Sequence, residues 1–235
     1  MRALGSEDQL RLLLLKKALL QFYFLVREKK LEETQTLIAQ NNGEAKVILV
    51  DLSNIQSLND AIALLRNEEK QIDVLVNVAG LWHGDNEIYA GKDFEMFSQQ
   101  IVLDTYAVGI TAPALLAQAC IPLMQKGSKI LNISGTFESG AKGWLPYYVS
   151  KRAIEDFTVG LSQELLEKGI QVNCISPSDV ATEAYCNYFP QYISDSITPE
   201  YVADQAVRLC SSESDLTGKI VVLKKGKEPF KGFHY

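Results

Sequence analysis

A doubly wound, mostly parallel α/β sheet is the fold class this sequence predicts, and three observations predict it. Six short apolar runs, at 23–26, 47–50, 74–76, 130–133, 172–175 and 220–223, alternate with longer helix-like segments in the rhythm of repeated βαβ units. Most of the runs are apolar at every position, as parallel strands need when helices cover both faces of their sheet. The length of 235 residues suits one large α/β domain over 1–235 better than two small ones.

In chain order, the leucine-rich stretch 10–26 reads as a buried helix running into the first of these strands. Arg11, Lys16 and Lys17 interrupt it and no small-residue cleavage site follows, which argues against a membrane span or a signal peptide. The remaining five runs supply the other strands. In such sheets ligands bind beyond the carboxyl ends of the strands. Here those ends are Arg27, Asp51, 77–80, Ser134 and 176–182. The one long irregular segment, 183–197, carries Tyr185, Tyr188, Phe189 and Tyr192. A loop of that size is either a lid over a binding site or a cover for the core or a subunit contact. The lysines at 224, 225, 227 and 231 read as a solvated tail.

A net charge of −6 and a pI near 5.1 argue against a broad nucleic-acid or anionic-membrane surface, and soluble metabolism fits better. Cys120, Cys174, Cys186 and Cys210 are widely spaced and the chain has two histidines, so neither a zinc site nor a disulfide framework is expected. Reduced thiols and a cytoplasmic location follow as expectations.

Tyr147 and Lys151 carry the chemistry. Their spacing places a phenol and an ammonium one helical turn apart on the same face. A phenol titrates ordinarily near 10, and bringing it to neutrality needs roughly 4 kcal/mol of phenolate stabilisation, for which a close ammonium is the plausible source.

Further motifs accompany this pair in order. Asn77-Val78-Ala79-Gly80 follows one strand, Asn132-Ile133-Ser134 closes the next, and Ser176-Pro177-Ser178-Asp179-Val180-Ala181-Thr182 follows a third. Together with Tyr147 and Lys151 they resemble the short-chain dehydrogenase/reductase family from residue 4 to residue 226. The resemblance implies that Tyr147 is the general acid/base and that Lys151 hydrogen-bonds the nicotinamide ribose and lowers the tyrosine pKa. It implies that Ser134 steadies the substrate oxygen. If the loop that follows is one residue short, Gly135 takes that slot instead and Thr136 or Ser139 substitutes. It further implies a cofactor site drawn from Gly5, Arg27, Asp51, Leu52, Asn77, Ala79, Gly80, Tyr147, Lys151, Pro177, Val180 and Thr182. Arg27 ends a strand where it would pair with a ribose 2′-phosphate, so NADP is favoured over NAD.

The chain departs from the family in three places. Tyr106 stands where the family has a catalytic asparagine that holds open a helix bulge. Ser178 replaces a glycine. Around Gly5 the phosphate-binding turn has Gln9 and Arg11 in glycine positions, with Glu7 and Asp8 adding negative charge where phosphates would lie.

Two functions follow as expectations. One is an NADP(H)-dependent oxidoreductase that interconverts the carbonyl and alcohol of a small organic substrate. The other is a binding or regulatory module with impaired cofactor binding. The family's oligomers pack through two long helices, here near 97–124 and 147–168, so a homodimer or homotetramer is expected. Trp82, His83 and Trp144 lie where they would shape a substrate pocket.

Overall fold

The computed structural model describes residues 21–25, 35–36, 38–40, 43–83, 87, 89–137 and 140–232. Two parallel strands, β1 (Gln21–Leu25) and β2 (Ala45–Leu49), pair with each other. A five-stranded sheet has the order β3 (Val74–Asn77), β4 (Lys129–Ile133), β5 (Gln171–Pro177), β6 (Lys219–Leu223) and β7 (Phe230–Lys231). Its first four strands are parallel and β7 runs antiparallel to β6. The predicted mostly parallel sheet flanked by helices is therefore present.

The main helices are α1 (Ile55–Glu68), α2 (Gln99–Tyr106), α3 (Ala112–Cys120), α4 (Leu145–Glu164), α5 (Glu183–Tyr188) and α6 (Pro199–Cys210). Side-chain hydroxyls or amides start several of them. Asn54 accepts from the backbone N–H groups of Gln56 and Ser57, Ser98 from Ile101, and Thr198 from Tyr201.

The two-residue period of a strand explains why the runs are apolar throughout. Ile130 on β4 and Val172 on β5 point into a core shared with α1 and α3. Cys174, Ile220 and Val222 gather with Val159 of α4. The intervening residues Leu131, Ile175, Val221 and Leu223 point the other way, onto Val202, Ala203, Ala206 and Leu209 of α6. From Val172 to Ile175 and from Ile220 to Leu223 every position is buried, on one side or the other.

Three local features depart from expectation. The segment 183–197 is not irregular: it holds α5 and a 3-10 helix, Pro190–Asp195. The C-terminal lysine-rich tail keeps Lys225, Lys227 and Lys231 exposed, but it forms a short strand, with Lys231 in β7 opposite Val221. Between α2 and α3 the chain makes a π-helical turn, Ala107–Thr111. The run Gln99–Leu123 is long and apolar enough to cross a membrane by length and composition. In this fold Leu116, Ala117 and Cys120 of that run lie in the core.

Candidate active site

The carboxyl ends of β3, β4 and β5 bring the sequence motifs together. Asn77, the last residue of β3, donates from Nδ2 to Oδ1 of Asn132 on β4 at 2.8 Å. Asn132 is fully buried and donates in turn to Thr158 of α4 at 2.9 Å. This relay ties two strands to the helix that carries Tyr147 and Lys151, and it fixes where the loop 78–83 leaves the sheet.

Lys151 is 4% exposed. Its ammonium donates to the carbonyl of Ile133 at 2.9 Å and lies 5.3 Å from the centroid of the Tyr147 ring. Gly80 closes the group: a Cβ there would stand 3.1 Å from Lys151 Nζ and 3.6 Å from the Tyr147 ring. Only glycine leaves that space open. Burial pushes the Tyr147 phenol above its ordinary value of 10, the direction opposite to the lowering expected from the ammonium.

Ser134 is placed differently from expectation. It is buried, and its hydroxyl donates to the backbone carbonyl of Lys151 at 2.9 Å. Because Lys151 reaches back to Ile133, strand end and helix grip each other through two hydrogen bonds. The Ser134 proton is thus committed to the strand–helix junction rather than offered to a substrate oxygen. The next residue, Gly135, has room for a side chain, since the nearest neighbour of a Cβ would be the Pro177 carbonyl oxygen at 4.0 Å. Thr136 donates its backbone N–H to that carbonyl at 2.9 Å.

Tyr106 ends α2 immediately before the π turn, so the helix irregularity is present without the family's asparagine. Gly109 within that turn lies against α4, where a Cβ would come 2.8 Å from that of Ser150. Close approach of the two helices supplies a physical reason for the turn.

Of the remaining expected cofactor residues, Pro177 ends β5, and Val180 forms an isolated bridge to Ile197. Thr182 caps α5 by accepting the Tyr185 N–H at 3.0 Å. The Ser178 hydroxyl oxygen is buried with no hydrogen-bond partner, at the end of β5 where a ligand group would satisfy it. Asp51 lies beyond β2, with one carboxylate oxygen accepting from the backbone and hydroxyl of Ser53, while Leu52 is buried in the core. Ala79 packs against the same core. Gly5, Arg27 and Ser139 lie outside the described residues. Among the described residues no cluster of His, Cys, Asp and Glu could hold a metal.

Over Tyr147 lies an aromatic cage. Phe137 meets the Tyr147 ring edge-on at 5.8 Å, and Trp144 lies 6.3 Å away. Trp82 stacks with Tyr185 of α5 at 6.3 Å and meets Tyr188 edge-on at 5.7 Å. Phe189 reaches Trp144 at 6.2 Å. The segment after Thr182 therefore lies over the Tyr147 side of the sheet in the manner of a lid. A small pocket beside it is walled by Leu81, Tyr89, Phe97, Trp144, Pro146 and Tyr147.

Two residues of the site were not singled out by their chemistry in the sequence. Glu155, one turn beyond Lys151, is fully buried and holds the Arg152 guanidinium at 2.6 Å. His83, expected only as a pocket residue, accepts the Tyr89 backbone N–H on Nδ1 at 2.9 Å, and burial pushes its imidazole down to about 4. The spacing of Lys151 and Glu155 on one helix face was the available signal for the first; for the second, the sequence placed His83 beside the pocket but not its hydrogen-bonding role.

The profile of a family described as Enoyl-(Acyl carrier protein) reductase matches residues 15–227. The chain is a short-chain dehydrogenase/reductase. Among the relatives of this dehydrogenase/reductase, the 2-dehydro-3-deoxy-D-gluconate 5-dehydrogenase of Bacillus subtilis is 32% identical over 155 residues, covering 65% of this chain and 58% of that protein. The chain thus spans little more than half the length of such curated relatives. A short-chain dehydrogenase of Burkholderia cenocepacia in complex with NADP superposes with a TM-score of 0.80 at 19% identity, covering 94% of this chain and 93% of the other. The landomycin C-6 ketoreductase with bound NADP and rabelomycin superposes with a TM-score of 0.81 at 20% identity, covering 94% and 91%. These two likenesses establish the fold of the dehydrogenase/reductase.

Proposed function

We propose that this chain is an NADP(H)-dependent oxidoreductase of the cytoplasm, a single domain acting on the carbonyl or alcohol of a small organic substrate. The observation that carries the proposal is the convergence of Tyr147, Lys151 and the side-chain-free Gly80 at the carboxyl end of the sheet. A nicotinamide cofactor bound there supplies or accepts the hydride. Lys151, Gly80, Ser178 and the 77–80 loop would hold its nicotinamide half, and the open Cβ space at Gly80 and the orphaned Ser178 hydroxyl fit such a group. Tyr147 gives the proton to the substrate oxygen during reduction and takes it back during oxidation. NADP rather than NAD is supported by Arg27 in the sequence and by NADP in structures that share the fold. The exposed apolar residues Leu103, Leu145 and Val149 on α2 and α4 support a homodimer or homotetramer through these helices. The acidic balance supports action without nucleic acid or membrane.

The second reading, a binding or regulatory module, is favoured by one observation: Ser134 is engaged elsewhere and Gly135 offers no hydroxyl. Titration of the full chain with NADPH and NADH, followed by cofactor fluorescence, separates the two. Micromolar NADPH binding that is lost in Lys151→Ala, with circular dichroism confirming that the variant folds, upholds the oxidoreductase. No binding of either cofactor up to millimolar concentration upholds the module.

A further inference from the structure

His83 presents a polar group that no described residue pairs with. Its Nδ1 accepts a backbone N–H, which places the proton of the neutral ring on Nε2. Nε2 is buried and meets no acceptor among the described residues. Around it stand ring faces: Trp82 at 4.3 Å, Tyr188 at 4.6 Å, Trp144 at 5.5 Å and Phe189 at 5.6 Å between centroids. A buried donor left unpaired is destabilising, so packing alone is better served by phenylalanine. Two ring contacts, His83 to Trp144 and Trp144 to Tyr147, join this donor to the proton-transfer phenol. Tyr89, whose backbone fixes the imidazole, and Trp144 also wall the pocket beside Tyr147.

We propose that His83 is a substrate-positioning residue whose Nε2–H donates to an oxygen of the ligand, and that the ligand is a flat aromatic ketone or alcohol with a second oxygen remote from the reacting one. The aromatic requirement follows from the walls. A flat ring entering between Trp82, Trp144 and the lid exchanges ring–ring contacts for ring–ligand contacts of the same kind, whereas an aliphatic chain does not. The second oxygen follows from the donor count: Tyr147 serves the reacting oxygen, and His83 needs another. A site built to donate discriminates strongly against an analogue that lacks the acceptor, because the buried donor is then left unpaired. The identity of the reacting group rests on the oxidoreductase reading, but the binding site itself does not.

The chain carries two tryptophans, Trp82 and Trp144, and both line this cage, so intrinsic fluorescence reports on it directly. The full chain, His83→Phe and His83→Gln are titrated without cofactor against 1-tetralone and 6-hydroxy-1-tetralone, which differ by one remote oxygen. Wild-type protein binds the hydroxylated ketone at least tenfold more tightly. His83→Phe, folded by circular dichroism, loses that preference, and His83→Gln, which retains an N–H, keeps most of it. Equal binding of both ketones by the wild type, binding of neither, or a preference that survives in His83→Phe overturns the proposal. Failure of the oxidoreductase reading is seen separately, in the cofactor titration.

Discussion

Asn132→Ala tests the relay that positions the site. Asn132 is fully buried and takes part in two side-chain hydrogen bonds, accepting from Asn77 and donating to Thr158. Removing both loses about 1 kcal/mol net for each. The Asn77 amide is then left buried without its acceptor, which adds about 1–3 kcal/mol. Thr158 is not orphaned, because its hydroxyl still donates to the Ile154 carbonyl at 2.7 Å. The expected loss is therefore about 4 kcal/mol. With a urea slope of about 3 kcal/mol per molar for a chain of this size, the midpoint falls by about 1–2 M. Thr158→Ser keeps the hydroxyl, and with it both of its hydrogen bonds, and costs only about 1 kcal/mol for the lost methyl group. Urea unfolding of the three proteins by circular dichroism makes the comparison. A midpoint change in Asn132→Ala no larger than in Thr158→Ser, with equal slopes, refutes the relay as a source of stability.

Tyr147→Phe lowers the rate of carbonyl reduction by roughly 100-fold to 10,000-fold while NADPH affinity stays within about twofold, as measured by steady-state kinetics and cofactor fluorescence. Burial raises the Tyr147 phenol, so the proton-donating form persists and the reduction rate shows no break from this group between about pH 6 and 9. His83 is held at about 4 against an ordinary 6.5. Between those values the unfolded chain takes up a proton that the folded chain refuses, so this contribution to stability is intact above about pH 6.5 and is lost as pH falls toward 4. The urea midpoint of His83→Phe, measured over that range, declines less steeply than that of the wild type. Leu103 is 62% exposed on α2, and Leu103→Glu shifts the mass by light scattering from oligomer toward monomer; a wild type that is already monomeric defeats that expectation.

Strands buried on both faces write themselves into a sequence. Ile130 and Leu131 face opposite helices, as do Val221 and Val222, so both register positions favour apolar residues and the run is visible without neighbours; Asn132 is the hydrogen-bonded exception. The β7 strand is two residues long and leaves no such record. The helix α5 has six residues and depends on the Thr182 cap and on ring packing against Trp82, which are tertiary facts. Asn77, Gly80, Tyr147 and Lys151 were legible because their order and spacing are set by the ends of strands and one helical turn. The direction of the Ser134 hydroxyl was not, because the carbonyl that claims it belongs to a helix 17 residues away. For His83 the deciding circumstance is which atoms surround its second nitrogen, and only the assembled fold determines that.

The division of the sheet bears on how the protein breathes. Among the described residues, β1 and β2 share no ladder with β3 to β7, and Ile48, Val50 and Leu52 join the rest by packing with Leu58, Leu65 and Leu75. Among the described residues, opening of that pair loses apolar contacts but breaks no rung of the larger sheet, and its amides are expected to exchange from a sub-global state. Asp51 belongs to the small unit and Tyr147 to the large one. If the proposed dinucleotide cofactor touches both, its binding is expected to slow deuterium uptake in β1 and β2.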